Sequence, residues 1–160
     1  MSLDSLSREM TLLVADASLI FRQMGVGDWT RSRGDGAWTR LEILGHLIDS
    51  AINNHQRFVR AMAEGGVTWP GYDQAAMVSV QRFGSANPAQ LVNLWEALNL
   101  YLARLIALIP ADKLDARCVI GCGPPVTLGY LVADYGDHMQ HHLRQIFEGM
   151  PVTVRWMMAD

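Results

Sequence analysis

Cysteine is scarce in this chain of 160 residues: Cys118 and Cys122 stand alone, spaced C-x3-C in the segment Cys-Val-Ile-Gly-Cys-Gly-Pro-Pro. A redox motif would be C-x-x-C opening a helix, and a zinc ribbon would need a second pair, so neither reading fits. The two thiols are expected to be reduced and to carry no framework role. Long apolar runs are missing as well. Half of the residues are apolar, but no uninterrupted stretch approaches the roughly 18 or more that cross a bilayer, which excludes a membrane partner. The start, Met1-Ser-Leu-Asp-Ser, lacks a basic segment leading into an apolar block, so a cytoplasmic location is expected. The formal net charge is −3, and Lys and Arg are scattered. The basic patch that a phosphate backbone requires is absent, and nucleic acid is excluded as a partner. Strict apolar/polar alternation, internal repeats and low-complexity tracts are also lacking, so no strand is expected.

What remains is helical periodicity in a length suited to one domain, residues 1–160. A first helix is expected from about Leu3 to Met24, with Leu6, Met10, Leu13, Ala17 and Ile20 three and four apart, ended by Gly25 and Gly27. After a loop through Arg31-Ser-Arg-Gly-Asp-Gly, Thr39-Arg-Leu-Glu42 reads as a capping box. Trp38 and Ile43 are placed as its hydrophobic staple. This second helix continues to about Ala63, before Gly65-Gly66. Val67 to Ala86 form a long crossover containing Trp69-Pro-Gly-Tyr72-Asp73, with a short helix over Gln74 to Arg82. Asn87-Pro88 start a third helix that reaches Ile109. Thr127 caps a fourth that runs to Glu148, closed by Gly149 and Pro151. Val152 to Met158 add a short extended piece. The fold class is therefore all-α, a four-helix bundle whose crossover frees helices two and three from being tight antiparallel neighbours. Apolar residues on several helix flanks are compatible with a homodimer.

Three of the five histidines fall in Asp134-Tyr-Gly-Asp-His138-Met-Gln-His141-His142-Leu-Arg-Gln145. At about 100° per residue, His138 and His142 lie one turn apart on one face, beside the seam of Leu128, Val132, Tyr135, Met139, Leu143 and Ile146. His141 points about 160° away from the seam, toward solvent. Four-residue spacing suits two ligands of one metal, and Gln145 or Asp134 could orient an imidazole by accepting its other N–H. The bland alternative makes the pair half-buried boundary residues, with Asp134 as a helical partner of His138. The zinc-protease pattern needs Glu after the first histidine, and Met139 stands there, so any base comes from elsewhere. On the second helix, periodicity puts His55 near the middle of the apolar face, where a satisfied core residue is the ordinary outcome. The same periodicity puts His46 in a polar strip with Glu42, Asp49, Asn53 and Arg57, which alone would be a solvated face.

Two segments carry a resemblance: Trp38-Thr-Arg-Leu-Glu-Ile-Leu-Gly45-His46-Leu-Ile-Asp49-Ser50, followed by Arg57-Phe58, and Asp134 through Ile146 with its His-x-x-x-His. They are similar to the DinB/YfiT-like superfamily of metal-dependent enzymes, and Tyr72-Asp73 in the crossover adds to the likeness. The resemblance implies a four-helix bundle in which His46, His138 and His142 bind one divalent metal, with zinc or nickel the expected ion. It thus prefers His46 to the His55 of the helical wheel. Members include thiol-dependent S-transferases, maleylpyruvate-isomerase-like enzymes and hydrolases, and membership does not select among them.

Three imidazoles leave at least one coordination position open, as in catalytic sites. An open position could lower the pKa of a thiol cosubstrate or of water, giving a transferase or a hydrolase. Asp49, Arg57 and Tyr72 are the nearest candidates for proton handling or anion binding. The favoured expectation is a metal-dependent, thiol-dependent S-transferase or related detoxification enzyme, acting on a small molecule with a low-molecular-weight thiol. A hydrolase is the alternative, and a stress-associated bundle that binds metal without turnover is the noncatalytic rival.

Overall fold

The structure, a computed structural model, describes residues 2–151. Four long helices dominate: α1 (Leu3–Phe21), α3 (Arg40–Glu64), α5 (Pro88–Ala107) and α6 (Leu128–Phe147), with short helices α2 (Val26–Trp29) and α4 (Gln74–Val80) between them. The expected all-α bundle is thus observed. Its starts follow the side-chain chemistry of helix capping. Ser2 accepts from the Ser5 N–H, Asn87 precedes Pro88 at the first helical position, and Thr127 accepts from the Tyr130 N–H. At α3 the Thr39 hydroxyl accepts from the Glu42 N–H at 3.3 Å while Glu42 accepts from the Thr39 N–H at 2.8 Å. Each such cap satisfies helix-end donors that have no intrahelical partner.

Packing does not follow chain order. α1 lies chiefly on α5, and α3 lies between α5 and α6, an arrangement that the long α3–α5 connection permits. Phe21, Trp95 and Phe147 meet where α1, α5 and α6 converge, with ring centroids 5.2 to 5.3 Å apart. Fully buried Phe and Leu side chains of this kind each contribute roughly 1.5–3 kcal/mol. Deep in the core, Tyr135 donates its hydroxyl to the Asn99 carbonyl oxygen, and the Asn99 amide donates to the Trp95 carbonyl at 2.7 Å. The two buried polar groups thereby satisfy one another. No helix among the described residues is long and apolar enough to cross a membrane.

One feature departs from expectation. The crossover and the Cys/Gly/Pro loop form a small sheet, with β1 (Gly66–Trp69) parallel to β2 (Arg117–Ile120), which pairs antiparallel with β3 (Val126–Thr127). Strands of two to four residues are too short for alternation to reveal them. Gly66 suits its place there, since a Cβ would lie 2.7 Å from the Arg117 carbonyl oxygen. Cys118 is buried in β2 and Cys122 is exposed, both as free thiols. Residues 26–29, expected in a loop, form the short α2, and the extended piece expected over Val152 to Met158 lies outside the described residues.

The crossover does more than connect helices. After α4, Arg82 adopts a left-handed backbone (φ 52°), uncommon for a residue with a side chain. The turn directs Gln81 and Phe83 back onto α3. Phe83 packs against Gly45 so closely that a Cβ there would fall 2.2 Å from the ring. Gly45→Ala is therefore expected to cost about 1–3 kcal/mol by overpacking. Denaturant unfolding should show part of that loss restored in the Gly45→Ala/Phe83→Ala double variant relative to the additive sum, because the two residues share one contact.

Candidate metal centre

Three imidazoles meet where α3 passes α6. His46 and His138 approach Nε2 to Nε2 at 3.0 Å. Ring centroids of His46 and His142 are 4.7 Å apart, and those of His138 and His142 are 4.5 Å apart. One nitrogen from each ring lies within 4.8 Å of the others. His46 is 0 % exposed, whereas His138 and His142 are half-buried. The α6 pair meets because four residues advance the helix by about one turn. His46 meets them because α3 packs directly on α6 while the crossover covers Gly45 and Asp49 beside it, so His46 and Asp49 of the polar strip are interior.

The outer contacts orient the rings. The Gln145 Oε1 accepts from His142 Nδ1 at 2.8 Å, which leaves the lone pair on Nε2. Ser50 Oγ lies 3.4 Å from His138 Nδ1, and the Trp38 ring lies 5.2 Å from that of His46. Burial, with the neighbouring imidazoles of His142 and His138 next, pushes the His46 pKa down to about 3. Burial and the nearby His142 and His141 push His138 down to about 4. His142 is also lowered, chiefly by burial, against the opposing bond to Gln145. All three rings are therefore neutral at pH 7, the state in which imidazole is a ligand. Two nitrogens each about 2.1 Å from a shared ion would be roughly 3.0 to 3.4 Å apart over right-angle to tetrahedral geometry. The His46–His138 separation of 3.0 Å fits the lower end of that range. His46 Nε2 is the ring nitrogen turned toward the α6 pair, while its Nδ1 is buried with no hydrogen-bond partner among the described residues. The donor set suits one divalent cation.

The other expected residues divide. Ser50, Asn54, Arg57, Gly71, Tyr72, Gln74, Ile120, Asp134, Tyr135 and His138 line a cleft of about 270 Å³. Arg57 and Tyr72 thus share a cleft with a histidine of the triad. Asp49 is buried, and its two carboxylate oxygens lie 2.9 and 3.0 Å from the Gln81 amide nitrogen, which donates to them and to the Met77 carbonyl at 3.1 Å. Burial raises its pKa, opposed by the Gln81 bond, and its observed partner is the crossover. His55 stands apart, half-buried with its ring 5.6 Å from that of Tyr101. His141 is exposed, as the helical register implies, and contacts Gln145 at 2.9 Å. Asp134 lines the cleft and makes no ion pair with His138 among the described residues. Sequence reasoning gave no role to Ser50, Asn54 or Gln81. Only the first stands in a recognisable motif; Asn54 contacts Ser50 and Arg57 along α3, and the reach of Gln81 depends on the crossover's path.

A helical bundle holding three inward imidazoles from two of its helices defines the class of protein. The chain belongs to the DinB superfamily, whose sequence profile matches residues 12–146. A protein of Oceanobacillus iheyensis named "Putative metal-dependent hydrolase" is 24% identical over 112 residues, 70% of this chain and 64% of its own length. YfiT from Bacillus subtilis, described as "a probable metal-dependent hydrolase with an unusual four-helix bundle topology", superposes with a TM-score of 0.75 at 21% identity, over 89% of this chain and 84% of YfiT. A mycothiol-dependent maleylpyruvate isomerase gives a TM-score of 0.75 at 17% identity, over 96% of this chain and 63% of the isomerase. The chain therefore spans less than two thirds of the Oceanobacillus protein and of the isomerase, and these likenesses establish the shared fold.

The buried histidines tie stability to pH. The unfolded chain takes up protons near the ordinary imidazole pKa of about 6.5, while folded His46 and His138 resist protonation until about 3 and 4. Stability from this source is thus full above about 6.5 and falls with pH through that window. Asp49, with its raised pKa, works in the opposite sense. In metal-free protein the urea midpoint should drop between pH 7 and 4.5, and the His46→Gln/His138→Gln variant should show a shallower slope. Equal slopes would contradict this account.

Proposed function

We propose that the chain is a metal-dependent enzyme that binds one divalent cation, zinc or nickel, through His46, His138 and His142. We further propose that it acts as a thiol-dependent S-transferase or related detoxification enzyme in the cytoplasm. The convergence of three neutral imidazoles beside a polar cleft carries this reading. When bound, the cation supplies Lewis acidity that makes thiolate available at neutral pH. The protein's share is positional. Gln145 holds His142 in one tautomer, Ser50 stands at the distal nitrogen of His138, and Trp38 packs on His46. Tyr72, its pKa raised chiefly by burial, stays a phenol at neutral pH and can donate to an oxyanion. Asp49 serves the site by anchoring Gln81, and so the crossover that carries Tyr72. A thiol cosubstrate is favoured by the likeness to a mycothiol-dependent enzyme. The hydrolase reading, with water in the thiol's place, draws on the names of YfiT and the Oceanobacillus protein.

Metal analysis of purified protein tests the centre. His46→Ala, His138→Ala and His142→Ala should each lose the ion, and His55→Ala and His141→Ala should keep it. Gln145→Ala should weaken metal affinity by roughly 10- to 100-fold, the usual effect of removing a ligand's hydrogen-bond partner. Wild-type protein without copurifying metal would count against the proposal. The chemistry is read separately: turnover of a model electrophile only in the presence of a low-molecular-weight thiol supports the transferase, and thiol-independent ester hydrolysis supports the alternative.

A further inference from the structure

Arg57 occupies an unusual electrostatic position. Its side chain is half-buried at the cleft that includes His138. No carboxylate lies within ion-pair distance of it among the described residues. Its Nη1 donates to Asn54 Oδ1 at 3.3 Å, and its Nε is buried with no hydrogen-bond partner among the described residues. Asn54 is itself fixed, donating to the Ser50 carbonyl at 3.0 Å and to Ser50 Oγ at 3.3 Å. A guanidinium is thus oriented but left under-bonded, and a buried charged donor without an acceptor is costly. Burial lowers the Arg57 pKa, against the raising influence of Tyr72 and Asp134, yet an arginine remains charged.

We infer that Arg57 is the recognition element for a carboxylate, so that the compound presented to the histidine centre is a small organic acid. This rests on the proposed metal-dependent activity only for what happens to the compound, because the anion site stands on the cleft's own residues. A planar guanidinium fork matches a carboxylate in geometry. Tyr72 and Gln74, whose side chains carry hydrogen-bond donors, also line the cleft, as does the apolar Ile120. A volume of about 270 Å³ limits the occupant to a small molecule. Asp134 on the same lining brings the local formal charge of Arg57 and Asp134 to zero, which disfavours a dianionic phosphate more than a singly charged carboxylate.

The test is calorimetric titration of the protein as purified with propionate and, separately, with inorganic phosphate, with metal content measured on every sample. Propionate should bind about tenfold more weakly to Arg57→Gln. Arg57→Lys, which keeps the charge without the planar fork, should fall between it and wild type. Asp134→Asn should bind propionate more tightly, roughly twofold or more, by removing a like charge. Metal content should be the same in all of these variants. Equal propionate binding by wild type and Arg57→Gln overturns the inference, as does binding that Arg57→Gln keeps and His138→Ala loses. Tighter binding of phosphate than of propionate overturns the carboxylate assignment. Arg57-dependent binding in protein devoid of metal would leave the inference standing while the proposed metal chemistry failed.

Discussion

The crossover packs onto the polar side of α3, and the candidate centre depends on that contact. Phe83 occupies the space that a side chain on Gly45 would fill, and Gln81 holds Asp49 one helical turn further on. His46, between them in sequence, is withdrawn from water, with Trp38, His138 and His142 against its ring. Withdrawal makes its protonation unfavourable, and the neutral ring faces the two imidazoles of α6.

The same packing divides the segment Gly45-His46-Leu-Ile-Asp49-Ser50 among different physical tasks. Gly45 admits an aromatic ring, His46 offers a ligand nitrogen, Asp49 ties down the crossover, and Ser50 stands beside both His138 and Asn54. Ser50 and Asn54 then link the histidine cluster to Arg57 through successive side-chain contacts. Metal binding and anion recognition, as proposed above, would be supported by one face of one helix. That arrangement keeps the supporting groups on a rigid element, which holds site geometry better than a loop does.

The small sheet plays a supporting part. Parallel pairing of β1 with β2 joins the start of the crossover to the loop before α6. Gly71 and Tyr72 follow β1 after Pro70, while Ile120 closes β2, and all three line the cleft. The wall opposite α3 is thus assembled from chain segments about fifty residues apart.

Much of the fold was legible because its signals are local. The Thr39/Glu42 capping box, Asn87-Pro88, and the Thr127 cap mark real helix starts, and the seam on α6 from Leu128 to Ile146 is buried as its spacing implies. The pairing of His138 with His142, and the outward turn of His141, follow from helical pitch alone. The place of His46 does not follow from pitch, since the wheel assumes one buried face and α3 has two. Family likeness pointed to it, but the physical cause is tertiary. Likewise the short strands, the Gln81–Asp49 contact and the Arg57 cleft join residues distant in the chain. By itself the sequence determined the helices, their ends and the α6 histidine pair, because these depend on neighbours within a turn or two. Which polar residues of α3 became interior was decided only by the tertiary structure, because burial depends on what α6 and the crossover cover.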